Sequence, residues 1–407
     1  NIALRKKQKI NVTLCENEEK KEYQIQREIN IRKIIITGIV VVLILAVVII
    51  FSLYIAEEGF RKWVDINVLR KDISSESVAT VDLNVDKNNQ IVCYNKYIGI
   101  LNEKNLKIYN SAGENITDIS VNINTAIFST NDRYLAIAEK NGQELCVISD
   151  KTYLWTQKVD GEIQQICVNK NGYVILVTTD TTYKSIITVY DNSGKQLMRN
   201  FLSSSRVTDV SISDDNKYLA YSEIDTSGTL IKSSVKIISI EKAQSNSAES
   251  TIYTKEAETS KMILKIQYQE NGELVCVYDD SINIVKDGYE QELIKKEDEA
   301  TFVSGNLGNS IAYIKEEQRS AFNSSSTLNI VNTSSKQTYK YNFGEIAKEM
   351  YTTGNVIGIN IGTEIYFVKT NGMLIKKYTS NQEITNVMIT NNIAIIIYKD
   401  RIEVINL

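Results

Sequence analysis

The chain has 407 residues, 43% of them apolar and 24% charged, which excludes a disordered chain and leaves room for two ordinary domains or one large β architecture. It contains no histidine and no proline. Without histidine, Ser-His-Asp and Cys-His nucleophiles and histidine-bearing zinc motifs are excluded, so any catalysis falls to carboxylates or lysine and a non-enzymatic role is the first expectation. Abundant Asn, Ile, Lys and Tyr point to an AT-rich genome, as in low-GC Gram-positive bacteria.

Residues 1–33 carry nine Lys/Arg against five acids and read as a short basic tail. The first residue is Asn rather than Met, so residues upstream are expected. Residues 34–56, IIITGIVVVLILAVVIIFSLYIA, run for 23 positions without a charge. A bilayer core about 30 Å thick needs roughly 20 helical residues, so this segment predicts a transmembrane helix. Bulky Tyr54, two residues before Ala56, argues against signal-peptide cleavage there. The excess of Lys/Arg before the span predicts a cytoplasmic N-terminus and an extracytoplasmic C-terminal part at the cell membrane. Residues 34–407 hold 37 basic and 45 acidic residues, a net of −8 with no basic stripe, which argues against nucleic acid as a partner.

Residues 57–77 read as a linker. Beyond them, short alternating strands are broken by Asn, Asp, Gly and Ser turns, with no amphipathic helix long enough to cover a sheet. A unit recurs, with third strands LKIYN, ELCVIS, IITVYD, SVKIISI, INIVKD, LNIVNT, EIYFVK and RIEVINL. Spread over residues 78–407, eight such units average about 41 residues, the size of a four-stranded propeller blade. The fold class predicted is therefore all-β, an eight-bladed propeller preceded by one helix; a seven-bladed ring is the alternative if residues 301–344 are wrongly split off. The last unit has only three strands, so VATVDLN at 78–84 is expected to supply the fourth and close the ring, which hides an open edge.

At its turns the chain resembles Tol-type and WD-repeat propellers. FSTNDRYLAIA (128–138) and SISDDNKYLAYSE (211–223) match their Phe-Ser-Pro-Asp-Gly-x-x-Leu-Ala-like segment, without the proline and without a Trp-Asp dipeptide. The whole layout resembles an uncharacterised bacterial family of single-pass, membrane-anchored propellers known only as a domain of unknown function. That resemblance implies the fold and the anchor and supplies no catalytic residues.

Cys15, Cys93, Cys146, Cys167 and Cys276 include no C-x-x-C pair. Four lie in apolar strand-like runs and are expected as buried hydrophobes, with a disulfide among them as the alternative. The polar turns Asn131-Asp132, Asn171-Gly172, Asp214-Asp215 and Asn271-Gly272 need no calcium, since turn geometry already demands these residues; no cofactor or metal is expected. QSNSAES (244–250) reads as a flexible loop. Three second-to-third-strand connections are long: 179–185, 223–234 and 315–326. Insertions gathered on one face serve binding, and Tyr183, Asp225, Lys232, Arg319 and Phe322 are the candidate contacts. The function expected is a membrane-anchored binding or scaffold module for a protein or envelope polymer. Two alternatives stay open: a propeller hydrolase or lyase with carboxylates at the channel mouth, and a sensor signalling through the span.

Overall fold

The computed structural model describes residues 31–57, 60–61, 64–69, 71–74, 79–81, 89–102, 104–259, 261–295, 300–320, 323–391 and 393–407. The tail at 1–30, Cys15 and Phe322 lie outside these residues. The chain divides into two units, 1–68 and 69–407.

In the first unit, α1 (Ile31–Ala56) is followed by a π-helical turn, Val64–Val68. Residues Ile35–Ala56 are long and apolar enough to cross a membrane. Tyr54 donates its hydroxyl to Asp65 Oδ1 at 2.6 Å, tying the helix end to that turn.

The second unit is an eight-bladed β-propeller. Its blades span residues 90–120, 126–158, 162–202, 205–256, 263–295, 300–343, 349–379 and 386–406. Blades 1 to 7 each supply four antiparallel strands in chain order, and blade 8 supplies three. Residues 300–343 form a sheet of their own, which removes the seven-bladed alternative. The strand Ala79–Val81 pairs antiparallel with Ile402–Asn406 as the outermost strand of blade 8, Ala79 opposite Val404 and Val81 opposite Ile402. A further short strand, Asp72–Ser74, pairs parallel with Leu374–Thr379 and gives blade 7 a fifth member. It falls inside the segment read as linker; three residues are too few to show any periodicity.

Strand alternation explains the closure. Successive side chains of a strand point to opposite faces, and here the two faces feed different cores. Leu135 and Ile137 pack toward blade 1, whereas Ala136 and Ala138 pack toward blade 3. Because both faces of each sheet are covered, the inner strands read as continuous apolar runs. Each neighbouring pair of blades shares such a core, including blades 8 and 1, joined through Ile393, Ile395 and Ile402 against Cys93, Ile98 and Ile100. Burying one such aliphatic side chain contributes roughly 1.5–3 kcal/mol.

Polar seams reinforce the apolar ones. Buried serines at the start of third strands accept backbone N–H groups of the following blade: Val207 to Ser185 (3.0 Å), Ile263 to Ser233 (3.1 Å) and Ala347 to Ser326 (2.9 Å). At two other seams a glycine carbonyl does the same, Ile163 N–H to Gly142 O and Ile384 N–H to Gly362 O, both at 2.8 Å. Each bond satisfies a backbone donor that the end of a sheet would otherwise leave bare. The excursion at 244–250 is ordered rather than loose. Part of a short helix, α2 (Ile240–Ser245), and a 3₁₀ turn, Ser247–Glu249, occupy it, with Lys242 N–H donating to the capping Ser239 Oγ.

Candidate functional site

The ring has two unlike faces. One carries the first-to-second-strand turns and will be called the turn face. The other carries the second-to-third-strand hairpins and the links between blades, and is the hairpin face.

On the turn face the central channel opens into a cavity of about 500 Å³ to which all eight blades contribute, for example Asn95, Asn131, Lys170, Asp214, Glu270 and Asn391. Asp132, Gly172, Asn216 and Gly272 hold positive φ (48°, 80°, 62° and 78°), the left-handed geometry that selects Asp, Asn and Gly. The amides then stitch neighbouring turns together. Asn391 Nδ2 donates to Asn95 Oδ1 (2.7 Å) and Asn95 Nδ2 to Asp150 Oδ1 (2.6 Å). Asn169 Nδ2 reaches Ser213 O (3.1 Å), and buried Gln269 donates to Ser310 O (2.9 Å) while accepting from Thr333 Oγ1 (3.0 Å). Lys170 and Asp214 form an ion pair at 2.8 Å. These turn residues are therefore used in holding the ring, and among the described residues no group of three or more acids and cysteines could hold a metal.

Deeper in the channel wall, burial pushes the carboxyl of Asp209 up. It accepts the N–H groups of Ile266 (2.8 Å) and Val210 (3.0 Å), so it bridges blades 4 and 5. Glu349, at the start of the first strand of blade 7 (Glu349–Thr353), is likewise pushed up by burial and accepts the Val387 N–H of blade 8 at 3.2 Å, so both carboxyls bridge neighbouring blades. Cys93, Cys146, Cys167 and Cys276 are free thiols. Burial pushes Cys146 and Cys167 up to about 12, and Cys93 and Cys276 in the same direction, so none is poised as a nucleophile.

The hairpin face departs from the loops expected of it. Residues 180–184 are a short loop, closed by Asp180 Oδ1 accepting the N–H groups of Thr182 (2.8 Å) and Tyr183 (2.6 Å). The connections at 223–234 and 315–326, expected as long loops, are mostly paired backbone. In blade 4 the ladder runs out to Asp225 opposite Lys232, and in blade 6 to Ser320 opposite Asn323. Polar stretches such as EEQRS and NSSST carry no apolar alternation to announce a strand; backbone pairing makes them strands.

Blades 3 and 4 bring three of the candidate contacts together. Tyr183 packs on Phe201 with ring centroids 4.9 Å apart. Its neighbour Lys184 reaches across to Ser204 O (2.9 Å) and Thr226 Oγ1 (3.5 Å) of blade 4. Asp225 accepts from Ser227 N–H (2.8 Å), which holds its carboxyl below the usual range, and from Ser204 Oγ (3.3 Å). Lys232 pairs with Glu256 at 3.1 Å. Arg319 falls on the strand Ser310–Ser320 of blade 6, two blades away. Sequence reading missed the apolar members of the same region: Leu230 and Ile231, each 61% exposed at the blade 4 tip, and Phe201 at 47%. Two adjacent apolar residues inside an otherwise polar hairpin were the available signal. Leu230 and Ile231 stand exposed side by side on the blade 4 hairpin, and adjacent exposed apolar side chains mark an interaction surface more often than scattered single ones do.

Below both faces, fold and sequence agree on the class of protein: a β-propeller preceded by an apolar helix. Residues 69–407 match the model of a family of unknown function, DUF5711, and the chain belongs to that family. No curated protein matches it. Among solved structures it is similar to BamB from Moraxella catarrhalis, with TM-score 0.50 and 10% identity over 81% of this chain and 100% of that one. It is also similar to Chaetomium thermophilum Sqt1, solved bound to the N-terminus of the ribosomal protein L10, with TM-score 0.53 and 11% identity over 81% of this chain and 100% of that one. At such identity the likeness concerns the fold alone.

Proposed function

We propose that this protein is a non-enzymatic binding or scaffold module, held at the outer surface of the cytoplasmic membrane by its apolar helix, with its N-terminal tail in the cytoplasm. The partner is a protein or an envelope polymer, and the docking surface is the hairpin face of blades 3 and 4. The observation that carries this reading is the pair of adjacent exposed aliphatic residues Leu230 and Ile231 on the blade 4 hairpin that also holds Asp225 and Lys232, with the half-exposed Tyr183–Phe201 pair on neighbouring blade 3. The propeller of Sqt1, solved with a ribosomal-protein segment bound, offers a precedent for peptide docking on this architecture. Arg319, on the strand Ser310–Ser320 of blade 6, and Phe322, which lies outside the described residues, are proposed as a second, separate contact.

Photo-crosslinking in cells tests the proposal. Crosslinkers at Tyr183, Leu230 and Phe322 should capture one and the same identified species, and crosslinkers at Asp132 and Asn371 on the turn face should not. Capture of nothing from the hairpin face, or the same capture from both faces, overturns it.

A further inference from the structure

A second cavity, of about 190 Å³, lies in the seam between the outermost strand of blade 2 and the adjoining face of blade 3. Gln157, Thr178, Thr188, Tyr190, Gln196 and Arg199 wall it. The rest of that seam is apolar, built from Leu145, Val147, Trp155, Val174 and Leu176, so a polar hollow is out of keeping with its surroundings. Register explains how the polar groups converge. Leu176, Thr188 and Arg199 stand in one row across blade 3, and alternation puts Thr178 and Phe201 on the same side as that row. Gly194, at φ +83°, lets the turn above close down on the Trp155 ring; a Cβ there would meet the indole at 2.8 Å.

Two buried polar atoms in this cavity have no hydrogen-bond partner among the described residues: Thr178 Oγ1 and Arg199 Nε. Thr178 is only 2% exposed. The Arg199 guanidinium stacks over Phe201 at 5.1 Å, which orients the side chain and leaves its Nε–H without a partner among the described residues. Leaving a buried donor bare costs about 1–3 kcal/mol. Lys158 and Asp160 at the pocket edge offset one another, so the net charge is that of Arg199. A planar fork of N–H donors with hydroxyls beside it matches one chemistry above others, a carboxylate accepting a paired set of charge-assisted bonds.

We infer that this seam is a carboxylate-binding pocket, with Arg199 as its charged anchor and Thr178 and Thr188 as hydroxyl donors. The inference deepens the docking reading, and rests on it for its role, by giving the partner an acidic group. The carboxylate belongs either to a Glu or Asp side chain of a protein or to a small free acid.

The test uses the full chain in detergent micelles with ¹⁵N-labelled arginine. With only ten arginines in the sequence the Nε–H resonances are separable, and Arg199→Lys identifies the one in question. N-acetyl-glutamate N-methylamide should shift the Arg199 resonance in a saturable way, and the matching glutamine compound should not. Thr178→Val should weaken that binding about tenfold, the factor that 1.4 kcal/mol supplies. Acetate acting as strongly as the glutamate compound assigns the pocket to small acids; a preference for the glutamate compound assigns it to protein side chains. No saturable shift, or equal shifts from the glutamate and glutamine compounds, overturns the inference. Because no captured partner enters this titration, its failure is separate from failure of the crosslinking.

Discussion

The turn face and the hairpin face are built from the ends of the same strands, yet they use their side chains in opposite ways. On the turn face Asn391, Asn95, Asn169 and Gln269 each bond the next blade. On the hairpin face the blades differ, and blade 4 holds Leu230 and Ile231 out in solvent. Regularity where the ring must be held and irregularity where it need not be is what a scaffold with one working face looks like. Central cavities draw attention by their volume; here several groups lining the larger hollow bond the neighbouring blade, and the smaller seam pocket holds two buried polar atoms without a hydrogen-bond partner among the described residues.

The comparison can be broken from either side. The largest effect should come from removing residues 78–84, which withdraws the strand paired with Ile402–Asn406 and leaves both faces without a closed ring. Cooperative melting should be lost, or Tm should fall by more than about 10 °C; a truncated protein melting like its parent would contradict a circular arrangement. Next in size is Gln269→Leu on the turn face. It leaves the acceptor Ser310 O without its amide donor and the Thr333 hydroxyl with Asn309 O alone, and should cost about 1–3 kcal/mol in denaturant melts while leaving partner capture unchanged. On the hairpin face the signs reverse. Leu230→Ser with Ile231→Ser should stay within about 0.5 kcal/mol of the parent in stability, since both are solvent-exposed, and should abolish capture.

The smallest effect concerns pH. The Asp209 carboxyl is raised in the folded protein, so the folded state holds its proton more tightly than the unfolded chain does. Its contribution is therefore present below the ordinary carboxylate range and is lost as pH rises through the raised value. Asp209→Asn should flatten that slope in pH-dependent melts; an unchanged slope would mean that the carboxyl is not held out of water.

How much of this was legible in the sequence follows from burial. All eight third strands were readable, because a strand buried on both faces shows as an apolar run between turn residues. Segments such as ELCVIS and RIEVINL place alternate residues in two different cores. The strand Asp72–Ser74 was not readable, being three residues held by backbone pairing to blade 7. The hairpin extensions of blades 4 and 6 passed as loops for the same reason, since hydrogen bonds between backbones leave no mark on composition. Tyr183, Asp225 and Lys232 were picked from loop length, and they do stand on neighbouring blades. Thr178 and Arg199 were beyond reach. Nothing in VILVTT or QLMRNFL says that these two polar residues face a hollow rather than solvent; only the register across blade 3 does.

Hydrogen–deuterium exchange on the full chain, compared between native membranes and detergent-purified protein, tests the division of labour between the faces most directly. Occupied by its partner, the protein should show slowed exchange at residues 180–184 and 226–231, with the turns at 131–132, 171–172 and 271–272 unchanged. Protection that appears at those turns instead, or at neither place, would contradict the account.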